Sequence, residues 1–183
     1  MANITVDVTD VKELVKDLQV SPKLIRQATA SAMNRTLTFI GAETKRQVQQ
    51  EYAVTKSIQK ALTKKRASQK NLVAEAIYRD NPLPMFVFKY RVPNNRFRSP
   101  VTITIKKSNG RQTHDGSSPA LFKGYGKKIM RRESGEKNIR TAYTVSIPQM
   151  VANKEVYNVI ADKAQEHFYK RFEHEVQRRM EKL

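Results

Sequence analysis

The order of periodicities predicts an α+β chain, with helices first, a block of strands next and a long helix last. Three observations predict it. Residues 22–51 carry apolar side chains at helical spacing, the middle of the chain switches to a period of two, and residues 151–182 return to a helical pattern. With 183 residues and no Cys, the chain fits one domain, 1–183, with no disulfide or thiolate metal site.

The N-terminal segment, 1–20, is acidic. Ile4, Val6 and Val8 alternate with polar residues and predict a short strand. Asp10 then caps an expected helix carrying Val11, Leu14, Val15 and Leu18. Ser21-Pro22 is the stronger start signal, Ser at the N-cap and Pro at the first helical position. The long helix that follows is expected from Pro22 to Glu51. Its buried stripe is Ile25, Ala28, Ala32, Leu37, Ile40, Thr44 and Val48, and Gly41 is its weak point. A second helix, Thr55–Ala67, is predicted to place Ile58 and Leu62 on one face and lysines on the other.

The β region, 72–148, is read as an antiparallel-rich sheet. Strands are expected at Leu72–Tyr78, Met85–Val92, Val101–Ile105, Ala120–Phe122, Lys128–Met130 and Thr141–Ile147. Ser108-Asn109-Gly110 reads as a turn and Gln112–Ser118 as a flexible polar loop. In the final helix, Val156, Ile160, Ala164, Phe168, Phe172, Val176 and Met180 recur every four residues. Each step drifts about 40° on a helix of 3.6 residues per turn. One flat partner does not cover such a stripe. The helix either bends around the sheet or gives one end to its own domain and the other to a second subunit; the second reading is the one adopted.

Charge narrows the partners. Thirty-five Lys and Arg face 17 Asp and Glu, a formal +18. Between Asp80 and Asp115 there is no acid, while Lys89, Arg91, Arg96, Arg98, Lys106, Lys107 and Arg111 are all basic. Such a stretch suits an anionic partner. The apolar fraction of 39% and mean hydropathy of −0.65 are low for a compact globule, so part of the chain is expected to be ordered against neighbours. The first residues lack a basic n-region and an apolar h-region, and no apolar run reaches the length of a membrane span. The expectation is a soluble protein of a reducing compartment.

No arrangement of residues specifies an enzyme. His167 and His174 share a helix face near Glu166, Glu173 and Glu175, but no third ligand closes a metal site. Gly124-Tyr125-Gly126-Lys127-Lys128 lacks the spacing and Lys-Ser/Thr ending of a phosphate loop and reads as a hairpin connection. Neither a triad, a HExxH motif nor a cofactor motif is present. The basic residues carry more weight. Lys56, Lys60 and Lys64, four apart on the expected second helix, line one edge, with Lys65 and Arg66 beside them. Lys127, Lys128, Arg131 and Arg132 form a second basic group.

Several stretches together resemble the minor tail protein Z family of long-tailed bacteriophages and prophages. They are Ala32-Met33-Asn34-Arg35-Thr36, with Ala42, Thr44 and Val48; Tyr52-Ala53-Val54-Thr55-Lys56, with Ile58 and Leu62; and Pro84-Met85-Phe86. Ala120-Leu121-Phe122, Ile129-Met130-Arg131-Arg132 and Val145-Ser146-Ile147-Pro148-Gln149-Met150 complete the set. The similarity covers about residues 25 to 150. It leaves out the acidic first twenty residues and the four-spaced last helix.

The resemblance implies a structural virion protein, assembled in the bacterial host cytoplasm, that completes the head-proximal end of a phage tail and enables head–tail joining. Similar proteins form rings, commonly sixfold, around the DNA channel, and no enzymatic activity or cofactor comes with the family. On this reading Asn34 and Arg35 are candidate interface residues, Val101, Ile103 and Ile105 form a candidate edge for pairing between subunits, and Phe168, Phe172 and Val176 face a neighbour. The acidic N-terminus meets the basic middle of the next subunit. Lys56, Lys60, Lys64, Lys65, Arg66, Lys127, Lys128, Arg131 and Arg132 face channel DNA or acidic tail and head proteins. The rival reading is a basic nucleic-acid-binding module that makes non-specific phosphate contacts.

Overall fold

Pro22 begins a thirty-residue helix, and the Ser21 carbonyl accepts from the amides of Leu24 and Ile25 at 3.0 and 3.3 Å. This helix, α1 (Pro22–Glu51), has the predicted bounds and buries all seven residues of the predicted stripe. The computed structural model describes residues 2–5, 21–93, 99–110, 112–114, 120–132 and 138–182. A short strand, β1 (Ala2–Thr5), precedes α1. Val6, Val8 and the helix expected after Asp10 lie outside the described residues, as do residues 115–118 of the expected polar loop.

The predicted second helix does not form. One 3₁₀ turn, Ile58–Ala61, leads into β2 (Leu62–Lys65), which pairs antiparallel with β3 (Glu75–Tyr78). Two apolar residues give a helix too thin a packing face to offset the cost of nucleation. The edge of β3 offers a ladder of backbone hydrogen bonds instead.

β3 also pairs with β1, so the first sheet runs β1-β3-β2. The expected strand at Met85–Val92 divides into a 3₁₀ turn, Met85–Val87, and β4 (Lys89–Arg91). β4, β5 (Val101–Thr104) and β6 (Gln112–His114) form a second sheet in that order. β6 was expected to be loop; its backbone pairs with β5 from Val101 to Ile103. A third sheet holds β7 (Ala120–Lys123), β8 (Ile129–Arg132) and β9 (Ile139–Thr141). The β7–β8 hairpin is the predicted one, and Gly126 takes a left-handed φ of 63° in its turn. Among the described residues the strands thus form three small antiparallel sheets rather than one.

The last expected strand, Thr141–Ile147, overlaps β9 at Thr141 alone. Beyond it, Thr144 donates to the Leu83 carbonyl at 2.8 Å, and the chain enters the short helix α2 (Ile147–Val151). Ser146 and Gln149 close a capping box there. The long helix α3 (Lys154–Met180) then starts afresh, with Asn153 accepting from the Glu155 amide at 3.1 Å.

α3 runs antiparallel along α1. Arg179 reaches Ser31 at 2.8 Å, Lys163 reaches Glu43 at 2.9 Å, and Asn153 donates to the Tyr52 hydroxyl at 2.9 Å. The pairing corrects the reading of the four-residue stripe. Phe168, Phe172 and Val176 are at most 5% exposed, so they belong to this chain's own core and not to a subunit interface. Residues four apart form an inclined ridge, and a second helix lying along it covers the row from end to end. Of the stripe, Met180 alone is exposed, at 47%.

Candidate partner-binding surface

Asn34 and Arg35, the expected interface pair on α1, both make contacts within the chain. The Asn34 side chain grips Ala67: its Nδ2 donates to the Ala67 carbonyl and its Oδ1 accepts from the Ala67 amide, both at 2.9 Å. Arg35 lies 3.1 Å from the buried carboxylate of Glu175. β5, expected to be a free edge, is the central strand of its sheet, with Val101 and Ile103 fully buried and Ile105 packed against the core. Its alternation of Val and Ile with Thr gives one dry face and one wet face, and both of its edges are already paired.

Glu175 is a second hub between the helices. Besides Arg35 it holds Arg178 at 2.9 Å and Arg179 at hydrogen-bonding distance. Burial alone would raise its carboxyl, but the Arg179 hydrogen bond and the charges of Arg179, Arg178 and Arg35 hold it below the usual range. His167, read above as one of a helix-face pair, stacks on Phe39 with ring centroids 4.3 Å apart and lies 3.2 Å from the Thr36 hydroxyl. Burial lowers its pKa, with help from Arg171 and Lys170. It is a packing residue. Among the described residues no group of three His, Asp or Glu is placed to hold a metal.

The predicted basic row disperses with the loss of its helix. Lys56 pairs with Asp80 at 2.7 Å, and Lys65 pairs with Glu75 at 2.9 Å. Lys60 is exposed on the 3₁₀ turn. Lys64 and Lys65 are successive residues of β2 and point to opposite faces, with exposed Arg66 just beyond the strand. Lys127 and Lys128 are exposed in the β7–β8 turn. Arg131 and Arg132 alternate across β8, so they too face opposite ways. These nine residues do not make one surface.

A different basic group does come together. Lys89 and Arg91 on β4 stand opposite Thr104 and Thr102 on β5, and Lys107 lies just beyond them. The sequence carried its signal: cations two apart at 89 and 91, hydroxyls two apart at 102 and 104, and no acid between 80 and 115. Only the pairing register shows that the two patterns share a face.

Comparison with protein-family models, curated proteins and solved structures finds no match. Among the described residues, no helix is long and apolar enough to cross a membrane. The chain is α+β, with two long helices and antiparallel sheets between them in sequence.

Proposed function

We propose that this chain is a structural minor tail protein of a long-tailed phage or prophage, acting at the head-proximal end of the tail through ring-type contacts between subunits, without enzymatic chemistry. The observation that carries the proposal is where the motifs of the resemblance fall: they are joints of the fold. Asn34 ties α1 to Ala67, and Tyr52 ties the end of α1 to the start of α3. The Met85 amide donates to the Ala142 carbonyl at 2.9 Å, and Ser146 with Gln149 starts α2. Motifs that serve as joints of the fold fit a protein whose work is to hold a shape.

Open strands supply the contacts. Among the described residues, β2 and β9 each pair on one side only within their sheets. An unpaired edge accepts a strand from a neighbouring copy. Among the described residues, three sheets of three strands give a ring more than one such edge. The corrected interface is therefore one of backbone edges and exposed charge, not of Phe168, Phe172 and Val176.

Negative-stain electron microscopy of the purified protein tests this reading. Ring-shaped particles with a central opening are expected. A field of particles no larger than a single chain, whatever the protein concentration, would argue against it.

A further inference from the structure

The register of β4 on β5 puts Lys89 opposite Thr104 and Arg91 opposite Thr102. Directly opposed residues of an antiparallel pair share a face. Two cations and two hydroxyls therefore stand together, while Ile103 is buried on the other face. Past these pairs the strands diverge, and the segment after α1 fills the gap. The Lys89 amide donates to the Ala53 carbonyl at 3.0 Å, and the Ala53 amide donates to the Ile105 carbonyl at 2.9 Å. Ala53, with its single methyl group, becomes the floor. Lys107 adds a third cation at the rim, its Nζ donating to the Gln49 carbonyl at 2.6 Å. Together they line an open cleft of about 230 Å³.

Among the described residues, the nearby acids are engaged with Lys106 and not with this cleft. Glu155 binds Lys106 at 2.7 Å, and the charge of Glu51 also acts on Lys106. Lys106 and Lys107 are adjacent in an extended segment and point opposite ways. Among the described residues, neither Lys89 nor Arg91 has a carboxylate partner. Cations two residues apart on a strand stand about 7 Å apart, inside the Debye length of about 8 Å at physiological ionic strength. They act as one positive field.

We propose that this cleft binds the phosphodiester backbone of nucleic acid. Its side chains offer charged donors and hydroxyls, which suit phosphate oxygens. The exposed ring of Tyr90 lines it as well. The same cleft on a second copy would set like charges against these three cations, whereas duplex DNA supplies one negative charge per roughly 1.7 Å of axis. Backbone contacts of this kind position a strand without reading its sequence. The site stands on this geometry alone and does not depend on a role in a virion.

The test is fluorescence anisotropy of the full chain with a labelled DNA duplex of mixed sequence, titrated between about 50 and 200 mM salt. For wild type, log affinity should fall linearly with log salt. Lys89→Gln with Arg91→Gln should lower that slope by about two, since each phosphate contact contributes about 0.9. Lys60→Gln with Lys127→Gln removes the same charge outside the cleft and should leave the slope unchanged. Acetylation of the wild-type protein gives an independent readout: duplex DNA should protect Lys89 and leave Lys60 and Lys127 reactive. Equal loss of slope in both double variants, or unprotected Lys89, would overturn the proposal in favour of diffuse charge. Polyglutamate protecting Lys89 as well as DNA does, at matched charge, would overturn it in favour of an acidic polypeptide.

Discussion

The Glu43 carboxylate on α1 and the Lys163 ammonium on α3 meet at 2.9 Å across 120 residues of sequence, and the contact fixes how the two long helices sit against each other. The same Glu43 oxygen also accepts from Arg46 and Gln47, each at 2.7 Å. Burial alone would raise this carboxyl, but the hydrogen bonds from Arg46, Lys163 and Gln47 outweigh it and hold the pKa at about 2.

A carboxyl whose pKa is depressed on folding stabilises the protein above its unfolded value and loses that contribution as pH falls through its folded value. For Glu43 the window runs from 4.5 down to about 2. Urea titrations should show a loss on the order of 3 kcal/mol from this group across the window. Glu43→Gln should be less stable than wild type at neutral pH, with the difference closing in acid. A difference that stays constant with pH would contradict the assignment.

Asn34 is predicted to matter for stability and not for self-association. Asn34→Ala leaves both backbone groups of Ala67 without their partner, at a cost of about 1–3 kcal/mol. Chemical denaturation should read this loss while the mass in solution stays that of wild type. Unchanged stability with altered mass would return Asn34 to an interface.

Phe168 gives the same contrast from the core. It is fully buried, and Phe168→Ala should cost about 3–5 kcal/mol in the folded chain itself. A neutral effect on the melting temperature would mean that the side chain is not packed under α1.

Gly41 is a closer test of packing. An added Cβ would lie 2.9 Å from Leu62 Cδ2, the tip of a flexible and only partly buried side chain. Gly41→Ala gains about 1 kcal/mol of helix propensity, and a small shift of Leu62 offsets it. The expected net change is near zero. Gly41→Leu should destabilise, because no small movement makes room for it against β2. Equal stability of the two variants would disprove the close approach.

Much of the helical frame was legible because its signals are local. Ser21-Pro22 marks the start of α1, and the spacing of Ile25 through Val48 marks its buried face. The β region was legible only in part. Thr55–Ala67 reads as a helix because Ile58 and Leu62 are four apart with lysines on the other face, yet the edge of β3 decides the matter, and that edge is not visible locally. Val101–Ile105 reads as an edge because its Thr residues look wet, but a central strand with one solvated face has the same alternation. Phe168, Phe172 and Val176 were assigned to a neighbour because their cover, α1, lies more than a hundred residues earlier. The basic cleft was missed for a related reason: Lys89 and Thr104 are neighbours through register, which neither stretch records by itself.

Light scattering mass over a wide range of protein concentration, at moderate salt and without DNA, tests the central claim most directly. The account predicts self-association into a discrete multiple of 21.1 kDa that grows with concentration. A mass of 21.1 kDa at every concentration would contradict it.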